Sequence, residues 1–165
     1  MDREERKEFV RAHRTCVFGY NRRHDGPSMS MVYYMMDGPD DLLVSTMAER
    51  AKAKAIQRNP KVSILVLDEK WPPTYVQLYC DSHIDATMES EPERVIDSMM
   101  TLYAVMAGKP MPESARANAA ETARREKRII LRLKPYATFE TPPRHVYKEQ
   151  DTVGLTHWLG QLLPW

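Results

Sequence analysis

The sequence predicts an α+β fold that is mainly β, with six to seven antiparallel strands and flanking helices. Short strand-like segments precede residue 46, and Asp-Gly-Pro turn signals at residues 25–27 and 37–39 separate them. Residues 61–67 (KVSILVL) are β-branched and almost entirely apolar, as in a buried strand. Residues 74–87 alternate between two faces, as in a long strand. Short connections of this kind are typical of antiparallel pairing.

The N-terminal third is predicted to open with a helix over residues 2–13, with Asp2 as its N-cap. Three strands follow at residues 15–21, 28–36 and 42–45. The third strand is short and is expected to run directly into a second helix.

That second helix is predicted to begin with a capping box, in which the Thr46 hydroxyl accepts from a backbone amide and Glu49 reaches back. It should end near Arg58, because Asn59-Pro60 stops a helix.

The rest of the chain returns to strands through a helical excursion. The strand at residues 61–67 is expected to lie centrally and to pair with residues 74–87. Two helices are predicted at residues 91–107 and 113–125, and the first has an apolar stripe made of Val95, Met99, Leu102 and Met106.

The C-terminal part is predicted to hold a strand at residues 129–133, a break at Lys134-Pro135 and a further strand at 136–141. An apolar segment at 155–163, with Trp158, ends the chain. We therefore expect one domain over residues 1–165, with a helical excursion at 91–125 and an apolar tail at 152–165.

The composition limits the partners and the kinds of site that we expect for this chain. The net charge of +1 gives no overall field for a nucleic acid or an anionic membrane, so neither is expected as a partner. The charged N-terminal residues and the absence of a long apolar run favour a soluble cytoplasmic protein. Cys16 and Cys80 are interpreted as reduced core residues. The five histidines lack metal-ligand spacing, so no metal site is predicted.

The segment at residues 42–60 is the strongest candidate for a binding site, because it joins a strand end to a helix start. Helix amides, hydroxyl groups and cationic side chains together suit a phosphate, and the segment supplies Ser45, Thr46, Arg50, Lys52 and Lys54. Arg50 and Lys54 share a face of a regular helix, whereas Lys52 lies on another, so all three cannot hold one phosphate. The spacing fits equally well a simple helix cap beside a solvated charged face.

The order of these segments resembles the pyridoxamine 5'-phosphate oxidase-like, flavin-binding split-barrel family. The resemblance covers residues 9–141 and is densest over residues 45–68, where VST is followed by an Arg four positions and a Lys six positions after the Thr, and then by NPKVSILVLD. It implies a split β-barrel, a homodimer and an oxidoreductase that acts on a small molecule. The position of the Arg resembles the branch that uses the deazaflavin coenzyme F420 instead of FMN.

The resemblance also implies which residues bind the coenzyme. Ser45, Thr46, Arg50 and Lys52 would hold its phosphate, with Lys54 as a further candidate. The strand that includes Pro27, Ser28, Met29 and Ser30 would lie along its ring system. The chain departs from the family at two places, with Ala55 where an Asn is frequent and Tyr79-Cys80-Asp81 where a Gly is common.

Three functions remain open from the sequence. The first is an F420-dependent oxidoreductase that transfers hydride to an unsaturated or carbonyl compound. The second is an FMN-dependent oxidoreductase related to pyridoxamine phosphate oxidation, and the third is a protein that binds a flavin or an apolar ligand without turnover. No catalytic acid, base or nucleophile can be named from the sequence.

Overall fold

A computed structural model describes residues 1–68, 74–139 and 162–165, and its strands form one curled antiparallel sheet. The helices are α1 (Arg3–Ala12), α2 (Ala51–Arg58), α3 (Pro92–Ala107) and α4 (Arg116–Arg125), with a 3₁₀ turn at Glu113–Ala115. The strands are β1 (Thr15–Tyr20), β2 (Ser28–Tyr33), β3 (Met35–Asp37), β4 (Asp41–Met47), β5 (Lys61–Asp68), β6 (Thr74–Thr87), β7 (Arg128–Phe139) and β8 (Leu162–Pro164).

Seven strands run across the sheet in the order β2-β1-β5-β6-β7-β4-β3, and β8 pairs with the end of β7. The sheet curls into a half-barrel, which brings β2 and β4 from opposite parts of this order to one cleft. The predicted mainly β split barrel is confirmed. The central position of β5 is also confirmed, because it pairs with β1 on one side and β6 on the other.

The barrel interior holds the main core, and a second core lies between the sheet and the helical excursion. Cys16 and Cys80 are buried free thiols of the barrel core, as predicted, and Trp165 packs into the same core. Val95, Met99 and Leu102 of α3 contribute to the second core. None of the described helices is long and apolar enough to cross a membrane.

The predicted strand at residues 28–36 is wrong as a single element, because Tyr34 divides it into β2 and β3. The ring of Tyr34 is buried, and its hydroxyl donates to the backbone oxygen of Val10 in α1. Its backbone amide donates to the oxygen of Arg14 at 3.1 Å. These contacts with the N-terminal segment end one strand pairing and start the other.

The prediction of a capping box at residues 46–49 is wrong, because β4 continues to Met47 and α2 begins only at Ala51. Thr46 is a buried strand residue opposite Ile129 of β7. Arg50 is the N-cap of α2 and makes no side-chain capping bond. The distant β7 extends β4 by pairing, which overrides the local helix signal.

The predicted break at Lys134-Pro135 is also wrong, since β7 runs without interruption through Pro135. Cys80 pairs with Pro135 and Tyr79 with Ala137, so Tyr136 is an extra residue at a shift in register. Proline lacks a backbone donor and is tolerated at such an irregularity. Trp158 and the predicted tail before residue 162 lie outside the described residues.

Candidate functional site

An open cleft of about 570 Å³ lies between β2 and β4, at the start of α2. We call it the α2 cleft. Met31, Met47, Leu102 and Met106 are among its apolar lining residues. Met106, which the sequence placed on the apolar stripe of α3, is 49% exposed and lines this cleft. The polar lining residues are Tyr20, Ser30, Tyr33, Ser45, Thr46, Arg50, Lys52 and Arg128.

Lys52 connects two separate segments that the sequence predicted to form one site. Its Nζ donates to the Oγ of Ser30 on β2 at 2.8 Å and lies 5.6 Å from the centre of the Phe18 ring. Partial burial and the nearby charge of Arg50 lower the pKa of Lys52. The folded protein therefore holds a cation in a place that disfavours positive charge.

Carboxylates near the α2 cleft are already paired with other cations. Glu49 forms an ion pair with Lys127 at 2.8 Å, and Glu126 pairs with Arg128 at 2.6 Å. Among residues 1–68, 74–139 and 162–165, none pairs its carboxylate with Arg50 or Lys52. The positive charge of these two side chains remains available to an anion.

The first turn of α2 adds backbone donors to this charge. The first amides of an α-helix lack intrahelical partners, and here Arg50, Ala51 and Lys52 place that end of the helix at the cleft. Such amides carry a partial positive charge and bind phosphate or carboxylate groups. The start of α2 thus combines free amides with two cations.

Two hydroxyl groups of β4 lie at the same end of the cleft. Ser45 and Thr46 both line it, and the Oγ of Ser45 lies 3.4 Å from the Sδ of Met99 on α3. A thioether is a weak acceptor, so this hydroxyl can exchange it for a stronger partner. The structure brings both residues to this cleft, although the sequence assigned Thr46 to the wrong element.

The remaining predicted site residues lie elsewhere. Lys54 is exposed on α2 and does not line the α2 cleft. Pro27 and Met29 line a second cleft of about 320 Å³ on the outer face of the sheet. Ser28 pairs with Tyr20 at the start of β2 and lines neither cleft. The structure therefore brings together Ser30, Ser45, Thr46, Arg50 and Lys52 from the nine predicted residues.

Arg128 is a cleft residue that the sequence analysis missed. It reaches the α2 cleft because β7 pairs with β4 and places Arg128 opposite Met47. This pairing joins residues 81 positions apart, since 128 − 47 = 81, and no local pattern signals it. In the part of the chain that the structure describes, no cluster of His, Cys, Asp and Glu could hold a metal ion.

The fold and this cleft define a split-barrel protein with a cationic cleft at a helix start. The model of the pyridoxamine 5'-phosphate oxidase family matches residues 2–140, so the chain belongs to that family. The family assignment that the sequence motifs suggested is thereby confirmed. A comparison with curated proteins gave no match.

Solved structures share this fold at low sequence identity. A conserved hypothetical protein from Mycobacterium tuberculosis is 18% identical with a TM-score of 0.70, and the match covers 91% of this chain and 94% of that one. An F420 reductase is 18% identical with a TM-score of 0.60, covering 84% and 96%. The heme storage protein HutZ from Vibrio cholerae is 14% identical with a TM-score of 0.58, covering 81% and 89%.

Proposed function

We propose that the chain is an oxidoreductase that binds the deazaflavin coenzyme F420 in the α2 cleft and reduces a small unsaturated or carbonyl compound. The observation that carries the proposal is the pair Arg50 and Lys52, two cations at a helix start without a carboxylate partner in the described chain. Burial and, to a smaller extent, the charge of Arg50 lower the pKa of Lys52, and a phosphoryl group between the two cations would stabilise its charged form.

The residues of the α2 cleft fit such a coenzyme by their chemistry. Lys52, Arg50 and the first amides of α2 would hold the phosphate, and Ser45 and Thr46 would donate hydroxyl hydrogen bonds. Ser30 holds Lys52 in place through the 2.8 Å contact and so sets the position of its charge.

The apolar part of the cleft suits a planar ring system. Met31 and Val32 of β2 line one side, and Leu102 and Met106 of α3 line another. Flexible thioethers adapt to a flat ligand and exclude water from it. These side chains would orient the ring and shield it, while β2 supplies backbone groups along its length.

The coenzyme carries the redox chemistry in this proposal. When bound, reduced deazaflavin supplies a hydride that, with a proton, saturates a C=C or C=O bond while the coenzyme is oxidised. The chain therefore needs no acid–base set of its own beyond a source of that proton. FMN is the alternative coenzyme, and we favour F420 because Arg50 lies four positions after Thr46.

A homodimer is part of this proposal. Met29 is 71% exposed and Met31 is 64% exposed on β2, the outermost strand of the sheet order. Exposed apolar side chains on an unpaired edge favour association. The buried free thiols of Cys16 and Cys80 support a reducing compartment, and we place the protein in the cytoplasm.

The coenzyme assignment is tested by titrating the purified protein with F420 and FMN side by side. Tighter binding of F420 is expected, and an isolated protein that carries bound, yellow FMN would refute the choice of F420. Lys52→Ala should weaken coenzyme binding by roughly 1.5 to 3 kcal/mol, because it removes a charge-assisted contact to phosphate.

Lys54→Ala is the matched control, because Lys54 lies on the same helix with its side chain outside the cleft. It should leave coenzyme affinity unchanged. Equal losses in both variants would show that general charge, and not this cleft, holds the coenzyme.

Catalysis is tested separately by mixing the protein and reduced coenzyme with a panel of quinones and enones. Coenzyme oxidation above the uncatalysed rate is expected. A bound coenzyme that is not oxidised faster with any member of the panel would favour a carrier protein over an enzyme.

A further inference from the structure

A notch on the outer face of the sheet is formed by one row of cross-strand neighbours. Met29 pairs with Gly19, Gly19 with Ser63, and Ser63 with Tyr79. Side chains of such neighbours stand side by side on one face. Two small residues between two large ones therefore leave a gap, and this gap is the cleft of about 320 Å³, which we call the outer cleft.

The floor of the outer cleft depends on glycine. A Cβ atom at Gly19 would lie 3.1 Å from the Oγ of Ser63 and 3.8 Å from the Cγ of Met29. A larger residue would displace the Ser63 hydroxyl or fill the notch. Gly19 therefore allows Ser63 and Met29 to approach the backbone of β1 closely.

Aromatic side chains form one wall of the outer cleft. Tyr79 and Tyr136 both line it, and Tyr136 is the extra residue at the register shift in β7. The hydroxyl of Tyr79 accepts from the Nε2 of Gln77 at 3.1 Å, which fixes its ring. A wall of this kind suits a planar ligand.

One exposed cation lines the cleft and contacts two neighbouring side chains. The Nζ of Lys61 lies 2.7 Å from the Oδ1 of Asp81 and 4.2 Å from the centre of the Tyr136 ring. The hydrogen bond with Asp81 raises the pKa of Lys61, so the ammonium group stays protonated. The ammonium group has three N–H groups, and the contacts with Asp81 and the Tyr136 ring engage two of them. The third can donate to a ligand.

We infer that the outer cleft binds a planar, uncharged molecule that carries a carbonyl group, with its ring against Tyr79 and Tyr136 and its oxygen accepting from Lys61. Asp81 already balances the charge of Lys61, so an uncharged acceptor suits the site better than an anion. The inference does not depend on the coenzyme, and Tyr20 is the one residue that lines both clefts among those described.

The test uses 2-methyl-1,4-naphthoquinone as the probe and naphthalene as the probe without carbonyl groups. Both are measured by equilibrium dialysis against the full chain without coenzyme. Saturable binding of both is expected. Lys61→Met should weaken quinone binding at least tenfold and leave naphthalene binding unchanged, whereas Lys61→Arg should retain quinone binding.

Two tyrosine variants test the aromatic wall. Tyr136→Ala should weaken the binding of both probes, and Tyr75→Ala is the control, because Tyr75 faces the same side of β6 but does not line the cleft. Circular dichroism of each variant confirms that it is folded.

Lys52→Ala separates this inference from the proposed function. It should weaken coenzyme binding about tenfold or more and leave probe binding intact, so each claim can fail alone. Loss of quinone binding in Lys52→Ala but not in Lys61→Met would place the ligand in the α2 cleft and overturn the inference. Absence of saturable probe binding would overturn the inference as well.

Discussion

Two charged regions of this molecule use the same kinds of side chain in opposite ways. Arg132 on β7 pairs with three carboxylates, through contacts of 3.0 Å to Asp85 and 2.8 Å to Asp41 and a third contact to Asp37. Arg50 and Lys52 at the α2 cleft pair with no carboxylate of the described chain. Among the described residues, the first region has its charges paired, and the second has cations without a carboxylate partner.

The two regions differ in what their charges contribute to the fold. Arg132 joins the β3–β4 hairpin to β6, and Arg94 of α3 pairs with the same Asp85 carboxylate, so this cluster holds the sheet and the helical excursion together. At the α2 cleft, burial and the charge of Arg50 disfavour the charged form of Lys52 and so lower its pKa, while its contacts with Ser30 and the Phe18 ring favour that form. Charged groups that are held where burial and a nearby like charge disfavour them are typical of functional sites.

The largest expected effect is a loss of stability on removing Arg132 from its three carboxylate partners. Arg132→Leu leaves Asp37, Asp41 and Asp85 close together without their shared partner, so the free energy of unfolding should fall by about 3 kcal/mol. Chemical denaturation measures this loss. Arg116→Ala is the control, since Arg116 pairs with two exposed carboxylates and should change stability little. Equal effects of the two variants would contradict the structural role of Arg132.

A smaller effect is expected from acid. Burial alone would raise the pKa of the Asp85 carboxyl, but the hydrogen bonds and charge of Arg132, with the charge of Arg94, lower it. A lowered pKa means that the folded protein binds fewer protons than the unfolded chain, so this stability is present above the ordinary carboxyl pKa and is lost as the pH falls through the folded value. Denaturation between pH 7 and pH 3 should show a steeper decline for the wild type than for Asp85→Asn.

The smallest effect should come from the unpaired region, where removing a cation is expected not to destabilise the fold. Arg50→Gln removes a charge that disfavours protonated Lys52, so the free energy of unfolding should stay constant or rise by up to about 1 kcal/mol. The same variant should weaken coenzyme binding. Clear destabilisation of the coenzyme-free protein would mean that Arg50 serves the fold.

The sequence was sufficient where local patterns and the final pairing agree. The alternation over β6 predicted its bounds, and the capping box of α1, with Asp2 as N-cap, forms as a local motif should. The sequence was insufficient where pairing with a strand distant in the chain determines the secondary structure of a residue. Thr46 carries a helix-start signal, yet pairing with β7 keeps it in β4, and Pro135 is accommodated only because Tyr136 is an extra residue.

The candidate site shows the same division. Arg50 and Lys52 were chosen through the family resemblance, because their spacing alone places them on different faces of a regular helix. The contact of Lys52 with Ser30 depends on how the barrel curls. Lys54 resembles Lys52 in sequence, and only the orientation of α2 separates the exposed side chain from the cleft residue. Residue type was predictable, and orientation was not.

The most direct test of the unpaired cleft is the pKa of Lys52, measured by NMR of the lysine side chains with and without F420, with Lys52→Arg used to assign its signal. In the free protein this pKa should lie below the ordinary lysine value, because of burial and Arg50. It should rise when the coenzyme binds, since a phosphoryl group stabilises the charged form, while Lys54 should change little. A coenzyme that binds and leaves the pKa of Lys52 unchanged would contradict the claim that Arg50 and Lys52 bind its phosphate.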